Sequence, residues 1–307
     1  MQLLVPFAGA LSDAGRHAAR SLSLPHLEQL LARWPAQSAL GSDEHSLSAP
    51  HELALARSLG WSLADGRLPW AALAARRDGI DVGAQPIGQA TPVHLHVGTD
   101  QITLTDPAAL QLDEADARAL FAALQPLFEE AGFALHWGAV HRWYVAHASL
   151  GELATASLDR VIGRHIDPWL PAPQASRAWQ RLLSEAQMLL YTHAVNERRE
   201  GAGQLTVNSL WLSGCGVAAA VRGEAPQVDD RLRGPALNED WAAWAEAWHA
   251  LDAGPIAALL RERGDDAALT LAGERRASTF ARGTTSPWQR LRTAWRRAAV
   301  QPLLDAL

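Results

Sequence analysis

Between Val93 and His147 the sequence changes its apolar period twice, and few folds accommodate that. Val93, Leu95 and Val97 alternate with His94 and His96, Gly98-Thr99-Asp100-Gln101 supplies a turn, and Ile102 and Leu104 carry the apolar face onward. Alternation with period two around such a turn reads as a β-hairpin. The spacing then lengthens. Ala117, Leu120, Phe121, Leu124 and Phe128 fall three and four apart, which predicts a helix from about Asp113 to Ala131, bent at Pro126 and stopped by Gly132. Two more strands are expected between Phe133 and His147. Strand–strand–helix–strand–strand is an α+β unit.

A chain of 307 residues, 48% hydrophobic and 20% charged, buries a full core and belongs with globular proteins. No apolar run approaches the ~20 residues of a membrane span. The opening M-Q-L-L-V-P-F-A lacks a basic region and reads as a first strand instead of a signal peptide. A net charge of −6 argues against nucleic acid as a partner. Lysine is absent, all 27 basic residues being arginine. That excludes lysine Schiff bases and Walker-type phosphate loops, and it leaves arginine, backbone amides or helix N-termini to hold an anion. Cys215 is the only cysteine, which excludes an internal disulfide and fits a reducing cytoplasm. No cofactor is expected.

Composition breaks divide the chain into a mostly helical segment with a first strand (1–88), the α+β unit (89–170) and a C-terminal α/β region (171–307). The first boundary is drawn at the Gly/Pro-rich passage Asp81 to Pro92, the second at Ile166 to Ala175. The overall class is α/β with a mixed α+β centre. The longest helix is expected over 176–199, with Trp179, Leu182, Leu183, Ala186, Leu189, Leu190 and His193 on one stripe. A strand follows from Val207 to Leu212 and then a Gly-Cys-Gly turn. A helix over 239–251 starts at Asn238 as N-cap and carries Trp241, Trp244 and Trp248 on one face. Beyond a strand at 268–271, a basic helix at 287–299 sets Trp288, Leu291 and Trp295 against Arg290, Arg292, Arg296 and Arg297. These Trp-rich helices are either core stripes or docking faces for a protein partner.

The densest polar stretch runs Y-T-H-A-V-N-E-R-R-E-G-A-G-Q-L-T-V-N-S-L-W-L-S-G-C-G from Tyr191 to Gly216. His193, Asn196 and Arg199 lie at i, i+3 and i+6 on the expected helix, beside Arg198. Asn208 enters the strand, and Gly214 and Gly216 close it. These seven residues form a candidate site for a small anion, held by an arginine fork and by amides near the glycines. A helix opening at Val217 to Val221 would add its dipole. Against this, His193 can be a core histidine, the arginines can be solvated or paired, and Asn208 can be a plain strand-entry residue. G-C-G-V-A-A also reads as a loose dinucleotide fingerprint, Cys215 as a nucleophile or a buried thiol, and the histidines at 94, 96, 136, 141 and 147 as a zinc set or a polar sheet face.

The H-x-V-N-x-x-R run with its later glycines and asparagine resembles a segment of the archaeal-type cofactor-independent phosphoglycerate mutases. Chain-wide, the sequence is similar to proteobacterial proteins of the RpfE-type regulatory, phosphoglycerate-mutase-like family. The resemblance implies a degenerate alkaline-phosphatase or phosphoglycerate-mutase-like fold. In the mutases, chemistry needs a Ser or Thr nucleophile and two metal ions held by Asp and His. Here P-F-A-G-A-L-S-D stands where that family has an Asp-Gly start, Asp13 alone does not restore it, and the C-terminal third offers only His249. Two-metal phosphoryl chemistry requires those ligands. The expectation is a non-catalytic regulatory or ligand-binding protein, with no catalytic residue and no metal site assigned. The alternative is a metal-dependent phosphoryl-transfer or phosphomutase-like enzyme.

Overall fold

The apolar run after Met1 is a strand, and it organises the first of two structural units. The computed structural model describes residues 1–41, 43–81, 83–262, 264, 266–282 and 299–307. Unit 1 comprises residues 1–62 and 221–307, and unit 2 residues 63–220. The boundary drawn from sequence at 88/89 falls inside a strand of unit 2, and that at 170/171 also lies within unit 2.

In chain order, unit 1 begins with β1 (Gln2–Val5), α1 (Asp13–Ser21), α2 (Pro25–Arg33), β2 (Ala36–Leu40) and α3 (Pro50–Ser58). Unit 2 follows with α4 (Trp70–Arg77), β3 (Ile87–Val93), β4 (Leu95–Val97), β5 (Ile102–Leu104), α5 (Glu114–Glu130), β6 (Ala134–Ala139) and β7 (Arg142–Ala146). It ends with α6 (Leu158–Val161), α7 (Pro173–Tyr191), α8 (Ala194–Gly201) and β8 (Ser209–Gly216). The chain re-enters unit 1 as β9 (Gln227–Val228), α9 (Arg233–Leu237), α10 (Trp241–Leu251), α11 (Ala257–Arg261), β10 (Ala268–Ala272), β11 (Ala277–Ala281) and α12 (Gln301–Ala306). The fold is mixed α/β.

Unit 1 holds a five-stranded sheet in the order β2-β11-β10-β1-β9. β1 runs parallel to both β10 and β9, while β11 is antiparallel to β10 and β2. Both faces of β1 are covered, as parallel strands require. Leu3 and Val5 join the core formed with α1, α2 and α10, whereas Leu4 packs with Ala54 of α3. The Trp stripe of α10 turns inward. Trp244 and Trp248 are 0% exposed, and successive rings along Trp241, Trp244 and Trp248 meet edge to face at 5.9 and 6.0 Å. Trp244 Nε1 donates to the Phe7 carbonyl at 2.9 Å, where the backbone is left-handed (φ 56°). Trp244 and Trp248 belong to the core, and Trp241 packs against it half-buried. The helix begins at Asp240, whose side chain accepts from Ala243 N at 3.0 Å; Asn238 instead closes α9. The basic helix expected at 287–299 lies, except for Ala299, outside the described residues.

One cap comes from far along the chain. α2 starts at Leu24, which has no side-chain acceptor. Buried Asp252, in a π-turn after α10, accepts from Leu27 N at 2.8 Å, His26 N at 3.2 Å and His26 Nδ1 at 3.0 Å. A carboxylate at a helix N-terminus satisfies orphan amides and faces the positive end of the dipole.

Unit 2 is built on the antiparallel sheet β6-β7-β3-β8. β4 and β5 form a separate hairpin that starts at Leu95, for Val93, expected in its first strand, belongs to β3 and pairs with Ser209 of β8. α5 and α7 cover one face, where Phe121, Trp137 and Trp143 interlock, as do Phe128, Phe133 and Trp179. α4 covers the other through Ala71, Ala72 and Ala75 against Tyr144 and Ile87. α5 runs as expected from its Asp113 cap through Pro126. The Gly/Pro passage from Asp81 to Pro92 runs into β3, a central strand that begins at Ile87. Gly88 is required there because a Cβ would stand 2.7 Å from Cys215 Sγ. Pro92 is tolerated because β7 pairs β3 only as far as Ala90, leaving β8 as its one neighbour. Among the described residues no helix is long and apolar enough to cross a membrane.

Emptying the Trp244 site removes a fully buried ring and its hydrogen bond. Trp244→Ala is expected to lower stability by about 3–5 kcal/mol in urea unfolding; a change below ~1 kcal/mol contradicts a core role.

Candidate functional site

The expected long helix is two helices. α7 ends at Tyr191 with Thr192 as its C-cap, and His193 takes an extended conformation as the N-cap of α8, its Nδ1 accepting from Val195 N at 3.2 Å. His193 therefore leaves the buried stripe and becomes half-buried at a corner.

The corner is fastened by side chains that grip backbone. Asn196, 3% exposed, donates through Nδ2 to Leu190 O at 2.8 Å and Val207 O at 2.7 Å, and its Oδ1 accepts from Val207 N at 2.9 Å. Arg199, also 3% exposed, donates from Nε to Leu205 O at 2.9 Å and from Nη2 to Leu110 O, and Nη1 lies 3.5 Å from Asp116 Oδ2. Arg198 is 63% exposed and holds the other oxygen of Asp116 at 2.8 Å. One carboxylate from the first turn of α5 thus takes both arginines. Asn208 prolongs the sheet with its side chain, Oδ1 accepting from Leu95 N at 2.7 Å and Nδ2 donating to Leu95 O at 2.9 Å.

Gly214 and Gly216 lie apart from this group. They sit within β8, six and eight residues past Asn208, about 20–26 Å along an extended strand. Their φ values of 63° and 148° lie in the region that favours glycine, and each lets β8 approach the start of α4. A Cβ on Gly214 would stand 3.0 Å from Ala71 N, and one on Gly216 3.1 Å from Pro69 Cβ. Residues 217–221 form no helix, so neither a dipole there nor the dinucleotide fingerprint is available. The structure gathers His193, Asn196, Arg198, Arg199 and Asn208 around α8 and the start of β8, but it does not assemble an arginine–glycine cradle.

Cys215 is buried beneath β3, and burial pushes its thiol up to about 12, so it stays protonated and is no nucleophile at neutral pH. Burial also lowers the His136 and His141 pKa values. His94 Nδ1 lies 2.9 Å from Thr206 O while His96 is exposed. Among the described residues no three His, Cys, Asp or Glu side chains converge as a metal set.

Sequence reasoning missed one polar cluster. Arg142 on β7 grips Asp78, at the end of α4, through Nε at 2.8 Å and Nη2 at 2.9 Å, and Tyr144 OH donates to the same carboxylate at 2.7 Å. The Arg142 hydrogen bond holds the Asp78 pKa below its usual 3.8, while burial, reinforced by Asp78, raises that of Tyr144. The one available signal is that Arg142 and Tyr144 share a face of β7; a partner 64 residues away leaves none.

No protein-family model matches the chain, and no curated protein does. Among solved structures it is similar to the cofactor-independent phosphoglycerate mutase from Thermoplasma acidophilum DSM 1728, at 16% identity and a TM-score of 0.37 over 99% of each chain. It is also similar to the PH0037 protein from Pyrococcus horikoshii, at 12% identity and a TM-score of 0.47 over 98% of this chain and 91% of that one. Neither superposition is close enough to transfer a residue's role.

Asn196→Ala leaves buried backbone groups of Leu190 and Val207 without these partners and is expected to cost about 2–4 kcal/mol in denaturant unfolding. Because Asp78 has a folded pKa below 3.8, its ionisation stabilises the protein fully above that pH and less as pH falls through the folded value. Asp78→Asn is expected to flatten the acid limb of a stability–pH curve below pH 3.8; an unchanged limb refutes the assignment.

Proposed function

We propose that this chain is a regulatory or ligand-binding protein of the RpfE-type kind, acting in the cytoplasm without the catalysis of the phosphoglycerate mutases its sequence resembles. The observation that carries this reading is the state of the α8 corner. The residues singled out by that resemblance are engaged with backbone and with Asp116: Asn196 makes three hydrogen bonds, and Asn208 makes two through its side chain. Groups that turn over a substrate must exchange partners during the reaction, whereas buried groups held this way act as fasteners. A second support lies at the end of β1, where the resemblance asks for an acidic metal ligand. There Phe7 packs its ring 5.6 Å from that of His51. A small anion would first meet the exposed guanidinium of Arg198.

Purified protein supplied with manganese or zinc is expected to bind 3-phosphoglycerate without converting it, and Arg198→Ala to weaken that binding. Mutase turnover of about 0.1 per second or more would overturn the reading.

A further inference from the structure

Residues 299–307 lie against the carboxyl end of β1 and β10. The loop after β1 is joined to the last residue of β10 by a hydrogen bond from Ala8 N to Ala272 O at 2.8 Å, and a glycine follows each, Gly9 and Gly273. A Cβ on Gly9 would stand 2.8 Å from Leu304 O and 3.0 Å from Leu307 Cβ. One on Gly273 would stand 2.6 Å from Leu307 Cβ. Both glycines therefore leave a groove that α12 and Leu307 fill. At its end the adjacent amides of Arg275 and Arg276 both donate to the Leu307 oxygen, at 2.6 and 2.8 Å. Two neighbouring amides aimed at one oxygen make a small concave acceptor site.

The occupant has the character of a docked peptide. α12 has six residues, fewer than a helix needs to hold its shape alone, so its order comes from the groove. Only Leu304 and Leu307 are buried, while Pro302, Asp305 and Ala306 face outward. In open sheets, ligands settle outside the carboxyl ends of parallel strands. We propose that residues 299–307 are a releasable self-ligand, a plug that gates the carboxyl end of β1 and β10. Release uncovers the glycine-lined groove and the Arg275 and Arg276 amides, and makes that strand end accessible to ligand.

Two measurements test this. In native-state hydrogen exchange of the full chain, the Arg275 and Arg276 amides should exchange on the order of 100-fold faster than the protected amides of β10, because a plug opens locally. Exchange at the core rate would overturn the proposal. A chain lacking residues 299–307 should stay cooperatively folded and bind a labelled peptide A-V-Q-P-L-L-D-A-L in trans, with binding lost in the peptide carrying Leu304→Asp. A shortened chain that loses its cooperative transition would show the segment to be integral core, and one that folds but ignores the peptide would show the groove to be no receptor; either result overturns the proposal.

Discussion

Asn196 makes three pieces of chain agree in unit 2. Its amide reaches the last turn of α7 through Leu190 O and both the N–H and the carbonyl of Val207 ahead of β8. A buried amide has four hydrogen-bonding positions, and three are filled by backbone: both polar groups of Val207 and the Leu190 carbonyl, which also accepts from His193 N at 3.2 Å. Once this residue is placed, α7 must stop before it, α8 must turn, and β8 must enter the sheet in register with Val93. Arg199 and Asp116 secure the same corner to α5 and to the turn at Leu110. A low dielectric raises the penalty for any missing partner, so the whole corner stands or falls together.

Apolar period was legible in α5, where one face is wet and the other dry. That helix follows its pattern closely through buried Ala117, Leu120, Leu124 and Phe128. The apolar alternation of the β4–β5 hairpin, by contrast, leaves Val97 exposed, and β7 is buried on both faces from Trp143 to Ala146. Periodicity failed where polar atoms decide. The apolar spacing of α7 runs on through His193, and nothing in that spacing reveals that Asn196 will claim the Leu190 carbonyl. It failed again where strands lack bulk. β2, A-Q-S-A-L, and β3, with Gly88 and Pro92, are poor strand sequences, stabilised by neighbours distant in the chain. Of the residues proposed as a site, five lie around α8 and the start of β8, but their partners, backbone groups and the Asp116 carboxylate, are ones that sequence does not display.

The absence of lysine has a visible consequence. Ion pairs here are built from guanidinium planes: Arg142 grips both oxygens of Asp78, Arg231 both oxygens of Asp229 at 2.7 and 2.8 Å, and Arg198 with Arg199 shares Asp116. A planar fork fixes direction as well as distance, which a single ammonium cannot do. Electrostatics in this chain therefore also carries geometric information.

Cys215 lies under the central strand of unit 2, protonated and out of contact with solvent. As the chain's single sulfhydryl, it turns the molecule into its own stopwatch. A thiol-reactive dye added to native protein can react only during the moments when the core around Cys215 opens, so the rate of colour development times those openings. At high dye concentration the clock reads the opening rate, and at low concentration the equilibrium fraction open. No probe need be engineered, and no competing cysteine blurs the signal.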